Sequence, residues 1–260
     1  MNGVTAFFQT TGEIVRLLVE SIYWCKAAVT NRSKVLQQMA EIGNNTIPPL
    51  VLISIFIGGG LALNSGPTFA LFGLEAQIGG VVAIGLIREL GPIMSSILVA
   101  GRVGSAMTAE LASMSVYQEI DALKTMDINP VRFLVMPRFI ATILTLPILV
   151  VFSDVIGVFG GSVVAMLNHK INVPFAVYYQ NIQETILFVD VLNGLIKALV
   201  FGIIISIVCC YVGLKTKGGP REIGVAVTRS VVLSFILIVL FDYFVTRFFV
   251  LIGFGYRFSV

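Results

Sequence analysis

Charge is what this chain has least of. Only 12% of its 260 residues are Asp, Glu, Lys or Arg, about half of the roughly 25% found in soluble domains. With 57% hydrophobic residues and a mean hydropathy of +0.97, folding in water would leave large apolar patches exposed. The chain therefore reads as an integral membrane protein. A net charge of +3 is too small to point to nucleic acid. Histidine is reduced to His169, and cysteine to Cys25, Cys209 and Cys210. No metal-ligand spacing can be built from these, and the cysteines read as small buried hydrophobes. The phosphate-cradling G-x-x-x-x-G-K-[ST] is missing, so no ATP is expected on this chain. No catalytic triad or nucleophile elbow can be assembled. The N-terminus MNGVTAFF has no basic n-region, which argues against a cleaved signal peptide. Transport is the remaining chemistry.

Five apolar segments are each long enough to cross a bilayer, at about 47–70, 76–104, 139–168, 186–214 and 229–252. The segments between them alternate in basic residues. Residues 1–46 hold Arg16, Lys26, Arg32 and Lys34, and 64–75 hold none. Residues 102–138 hold Arg102, Lys124, Arg132 and Arg138, and 169–185 hold only Lys170. Residues 215–229 hold Lys215, Lys217, Arg221 and Arg229. The positive-inside rule then places the N-terminus in the cytoplasm and the C-terminus outside. The expected fold is all-α, with five spans.

Two amphipathic stretches flank this frame. Over residues 1–35, Val4, Phe7, Phe8, Ile14, Val15, Leu18, Val19, Ile22 and Tyr23 recur at helical spacing. Glu13, Arg16, Glu20 and Lys26 take the other face, which predicts a helix in the cytoplasmic interface or, alternatively, one packed on a soluble partner. In the loop after span two, Ser115-Val116-Tyr117-Gln118 fits a capping box. Val116, Ile120, Leu123 and Met126 then follow at helical spacing, up to a stop near Asp127 before Asn129-Pro130. This short helix, within 113–128, offers Gln118, Glu119 and Asp121 to a docking partner, or rests on headgroups.

The spans carry charges where they cost most. Arg88 and Glu89 sit near the middle of a stretch from Ala76 to Gly101 that is otherwise uncharged. Asp154, Lys197 and Asp242 also fall inside apolar segments. Each charge at the bilayer centre costs about 2.5–3.5 kcal/mol on insertion scales. Adjacent residues on a helix do not face each other, so Arg88 and Glu89 need partners from other spans. Matching depths suggests Lys197 opposite Glu89 and Asp242 opposite Arg88. Such charges either lock helices together or face a substrate path. Gly58-Gly59-Gly60 and the pairs Gly58/Ala62, Gly101/Ser105 and Gly157/Gly161 have the small-xxx-small spacing of tight helix packing, a weak sign of dimerisation.

The stretch LIRELGPIMSSILVAGRVGSAMTAELASM and the following QEIDALKTMDINPVRFLVMPRFIA strongly resemble the MlaE-type (YrbE-like) permeases. These are the membrane subunits of ABC transporters that work with MCE proteins on lipids. The resemblance covers about residues 5–250. It implies a homodimer of five-span subunits in a bacterial inner membrane; a plastid inner envelope is the other location. It further implies a cytoplasmic ABC ATPase dimer, which binds ATP and Mg, docked on the helix of residues 113–128. A periplasmic MCE-domain hexamer is implied too, and often a small STAS-domain protein. The cargo would be phospholipid, in a system that maintains outer-membrane lipid asymmetry. The family's intramembrane charges fall on Arg88, Glu89, Lys197 and Asp242, with a further arginine at Arg229. Phe72 and Leu90 would touch acyl chains in a cavity between spans one, two and five. Some of the family have tyrosine where this chain has Phe72, which leaves no hydroxyl there for a headgroup. The competing readings are an ion-coupled secondary transporter of a lipid or amphiphile, for which no inverted repeat is evident, and an intramembrane enzyme acting on lipid.

Overall fold

The computed structural model describes residues 3–28, 32–168 and 173–253. His169 and Lys170, and the side chains of Val4 and Phe7, lie outside the described residues. Five helical runs are long and apolar enough to cross a membrane: Arg32–Leu71, Glu75–Val116, Val131–Leu167, Phe188–Lys215 and Pro220–Ile252. They are called spans one to five. Among the described residues there is no strand. The protein is an all-α, multi-pass membrane protein.

The helices overrun the apolar segments. Span one has 40 residues, about 60 Å at 1.5 Å per residue, roughly twice a bilayer's hydrocarbon core. It begins fifteen residues before Ile47 and stays helical through Pro48, Pro49 and Pro67 and through the triple glycine. The expected interfacial stretch of residues 1–35 is a helix, Gly3–Trp24, followed by a 3-10 turn, Cys25–Ala28.

Contacts gather the chain into two units. The first holds Met1–Asn44, Ile97–Thr145 and Val200–Val239, and the second Asn45–Ser96, Leu146–Leu199 and Leu240–Val260.

In the first unit, Leu17, Leu111, Ile120, Val135, Phe139, Ile207 and Cys210 form the core. Helix Gly3–Trp24 joins it through Leu17, Ile14 and Leu18, while Val15, Val19, Ile22 and Tyr23 stay exposed. Its apolar residues thus form two faces, one on protein and one outward. Its acidic face is fastened as well. Glu13 Oε2 accepts from Tyr211 Oη at 2.7 Å and pairs with Lys215 Nζ at 2.8 Å. Glu20 Oε1 accepts from Asn129 Nδ2 at 3.1 Å. Lys215, then Tyr211, hold the Glu13 carboxyl below its ordinary range.

The segment after span two departs from the capping-box reading. Ser115 lies inside the helical run, and its hydroxyl donates to the carbonyls of Thr216 at 2.8 Å and Leu214 at 3.3 Å. Gln118 adopts φ 61°, and the short helix Glu119–Thr125 starts there. Asp127, at φ 59°, ends the segment as expected. Asn129 Oδ1 then accepts the N–H groups of Val131 and Arg132 and starts span three.

In the second unit, Ala62, Ile78, Val82, Leu86, Ala165 and Tyr178 form the core. The small-residue spacings act within the subunit here. A Cβ on Gly58 would collide with the Gly157 carbonyl, and one on Gly160 would meet the backbone of Ile55 at 2.6–3.1 Å. Spans one and three therefore pack backbone to backbone, in the way small residues permit in membranes. The segment between spans three and four contains a further helix, Phe175–Thr185. It buries Tyr178 and Ile182, one turn apart, against the start of span two. Asn181 Oδ1 accepts the Gly80 N–H at 2.7 Å.

Candidate functional site

Most of the charges inside the spans of the second unit converge. Lys197 Nζ of span four lies 2.6 Å from Glu89 Oε2 and 2.9 Å from Asp242 Oδ1 of span five. The contact with Asp242 is an ion pair without hydrogen-bond geometry at that oxygen. Lys197 also donates to the Arg88 carbonyl at 2.9 Å. Thr246 Oγ1, one turn beyond Asp242, donates to Glu89 Oε1 at 3.3 Å.

Local sequence explains why span two presents these groups. Pro92 has no N–H, so the carbonyl of Arg88, four residues earlier, has no α-helical donor. The chain answers with a π turn at Leu86–Leu90, and the Lys197 ammonium takes the freed carbonyl. Single π turns inside α-helices are frequent at functional sites.

The pairing of Lys197 with Glu89 agrees with the depth argument, whereas that of Arg88 with Asp242 does not hold. Asp242 pairs with Lys197, and Arg88 pairs with Asp190, its Nη2 2.6 Å and its Nε 2.9 Å from Asp190 Oδ1. Asp190 is placed by the helix it starts. Its Oδ2 accepts the Leu187 N–H at 2.9 Å, half of a capping box on span four. In the sequence it looks like an acid of a first helical turn. The missed signal is that Asp190, Asn193 and Lys197 follow an i, i+3, i+7 pattern and share one helix face. Asp242 and Thr246 likewise stand four apart on span five.

Burial is uneven across the cluster. The Lys197 side chain is 2% exposed, Asp190 1%, Asp242 14% and Glu89 38%. Arg88, Glu89, Asn193, Lys197, Thr246 and Phe249 line a half-open pocket of only about 10 Å³, close to the minimum for one water. The cluster is thus a largely buried set of ion pairs in which one carboxylate, Glu89, is the most exposed member. Removing one partner of a buried pair leaves an uncompensated charge, so each member depends on the others.

The other residues singled out in the sequence lie elsewhere. Leu90 is half-buried on the second unit's core, and Phe72 is 74% exposed at the end of span one. Arg229 is exposed and belongs to the first unit. Of the residues expected to meet a partner, Gln118, Glu119 and Asp121 are exposed, with Asp121 2.7 Å from Lys124, which lowers its carboxyl below the ordinary range. Leu123 turns inward onto the first unit's core. Among the described residues no cluster of His, Cys, Asp and Glu could hold a metal ion.

The Permease MlaE family model matches residues 35–248. The chain is 42% identical over 215 residues to a Probable ABC transporter permease protein of Rickettsia typhi, covering 83% of this chain and 82% of that protein. It is 35% identical over 243 residues to another of that description from Synechocystis, covering 94% and 89%. Identity is 32% over 212 residues with the Intermembrane phospholipid transport system permease protein MlaE of Haemophilus influenzae, covering 81% and 80%. With five spans, an intramembrane ionic site and these relatives, the chain belongs to the MlaE permease family and is a membrane permease subunit.

Proposed function

We propose that the protein moves phospholipid between the inner membrane and a periplasmic MCE-domain protein, driven by ATP hydrolysis on a cytoplasmic ATPase dimer. The working unit is a homodimer of this chain, with a STAS-domain protein as a further subunit. The N-terminus is cytoplasmic and the C-terminus periplasmic. The name of the Haemophilus relative supports the cargo, and the names of the Rickettsia and Synechocystis relatives support the ATP-driven class.

The observation that carries this reading is the partly exposed Glu89 backed by the buried Lys197. A two-tailed lipid needs apolar wall for its chains and a polar group at its head. Glu89 balances Lys197 when the site is empty. When a headgroup phosphate arrives, it competes with Glu89 for Lys197 or Arg88, which exchanges one charge-assisted contact for another. Leu90 and Phe72 serve the chains, and Arg229 is a further cation on the lipid's path. Glu119 and Asp121 receive the ATPase, with Gln118 beside them and Leu123 tying the segment to the subunit. ATP binding there shifts the population between open and collapsed site conformations. ATP and Mg are held by the partner, and this chain contributes no catalytic group.

The test is lipid transfer by the purified complex, followed by mass spectrometry of the moved lipid. ATP-dependent transfer of phospholipid, lost in Glu89→Lys with assembly retained, is the expected result. Transfer driven by a pH gradient without the ATPase would replace this reading with the ion-coupled one.

A further inference from the structure

Asp154 of span three takes no part in the ionic site. It lines a cavity of about 370 Å³ in the second unit, within the roughly 300–1,000 Å³ typical of ligand pockets. The walls come from four elements: Ile87 of span two, Val158 of span three, Tyr178 and Ile182 of helix Phe175–Thr185, and Val191 of span four. Val155 and Phe159, also lining, are 65% and 58% exposed. They belong to an apolar part of span three, so the cavity is reached from the hydrocarbon.

Polar groups in the wall are few, and most are engaged. Ser162 donates to the Phe159 carbonyl at 2.7 Å, and Tyr178 Oη to the Val158 carbonyl at 3.5 Å. Asp154 is different: its Oδ1 is buried beside Gly91 of span two with no hydrogen-bond partner, and the residue lines the cavity. The cations at this level are committed, Arg88 to Asp190, and Lys197 to Glu89 and Asp242. Four carboxylates (Glu89, Asp154, Asp190 and Asp242) thus stand against the two shielded cations Arg88 and Lys197 in the spans of this unit, the third cation, Arg247, being exposed on span five. A lone carboxylate in hydrocarbon costs about 2.5–3.5 kcal/mol, and a cation arriving with an apolar ligand offsets that cost.

We propose that this cavity binds a single-chain amphiphile with a primary-ammonium head, its hydrocarbon chain along the apolar wall and its ammonium on Asp154. The site is separate from Glu89 and independent of the lipid-transfer reading. Its wall nevertheless touches the same elements. Ile87 and Val191 adjoin Arg88 and Asp190 in sequence, and Gly194 packs so closely that a Cβ there would collide with the Ile87 carbonyl. An occupant therefore presses on the turn that carries the ionic site.

The experiment measures binding of radiolabelled hexadecylamine to the full chain in nanodiscs of neutral phosphatidylcholine, with hexadecanol as competitor. One saturable site per chain is expected, at least tenfold weaker in Asp154→Asn and in the cavity-filling Val158→Phe, and retained in Asp154→Glu. Thermal unfolding of each variant checks its fold, and should Asp154→Asn not fold, Val158→Phe decides alone. Equal competition by hexadecanol would overturn the ammonium assignment. Uptake no greater than in empty nanodiscs, or unchanged by cavity filling, would overturn the site.

Discussion

Lys197 Nζ sits 2.6 Å from Glu89 Oε2 and 2.9 Å from the carbonyl of Arg88, so one ammonium reads both a side chain and the backbone of the same π turn. The position of Glu89 is thereby tied to the register of span two. A change in that turn would move the carboxylate and the carbonyl together.

Lys197→Met removes the shared cation and leaves Glu89 and Asp242 without their partner. Breaking a buried ion pair from one side costs about 3–5 kcal/mol. Thermal unfolding should fall accordingly, and lipid transfer should be lost. Adding Glu89→Gln to Lys197→Met should recover much of the stability and none of the transfer. Recovery of transfer as well would show that these charges serve packing alone.

Pro92→Ala separates stability from activity. The new N–H at residue 92 can take the Arg88 carbonyl into an ordinary α-helical bond, and proline is the poorest helix former by about 3 kcal/mol. The variant should unfold no earlier than the parent. Lipid transfer should drop at least tenfold, because Lys197 loses its backbone acceptor and the Arg88–Glu89 turn re-registers. Full activity would mean that the π turn is incidental.

Asp190→Asn keeps an oxygen for the Leu187 N–H but gives up the ion pair with Arg88. Helix content by circular dichroism should be unchanged, while transfer declines. A similar decline in Asp190→Glu would indicate that distance to Arg88, and not charge, is what matters.

These residues also show what a sequence can disclose. Glu89 and Lys197 could be paired because two charges at one depth in hydrocarbon have few other ways to be compensated. Depth matching brings Asp242 to the level of the cluster but not to its partner Lys197, since depth says nothing about rotation around a helix axis. Asp190 gives no such signal, because an acid at the first turn of a helix already has a local explanation. The helix Phe175–Thr185 is not legible because its buried positions, Tyr178 and Ile182, are a single pair, while the apolar Phe175, Val177 and Tyr179 beside them stay exposed. The five spans and their order were plain from composition and charge alternation, which depend on the bilayer more than on packing.

The glycines of span one give a contrast within a single helix. Gly58→Ala drives a methyl into the Gly157 carbonyl, whereas a Cβ on Gly60 meets nothing within 4 Å. Overpacking of this kind costs about 1–3 kcal/mol. Gly58→Ala should therefore lower the unfolding temperature, while Gly60→Ala leaves it unchanged or slightly raised. Equal effects would mean that spans one and three do not meet at Gly58.

Glu13 makes the fastening of the N-terminal helix sensitive to acid. Its carboxyl is held below the ordinary carboxylate range by Lys215 and then Tyr211. A depressed folded value contributes stability that is present above the unfolded value, about 4.3, and is lost as pH falls through the folded one. The fastening should therefore be intact at neutral pH and loosen only below the ordinary carboxylate range. Trp24 is the only tryptophan in the chain, at the end of this helix, with the Arg132 guanidinium 5.1 Å from its ring. Its emission should shift as pH is lowered through that range. Glu13→Gln removes the titrating group and should flatten the profile, with the emission at neutral pH already near the acid value of the parent. An identical acid shift in both proteins would assign the change to another group.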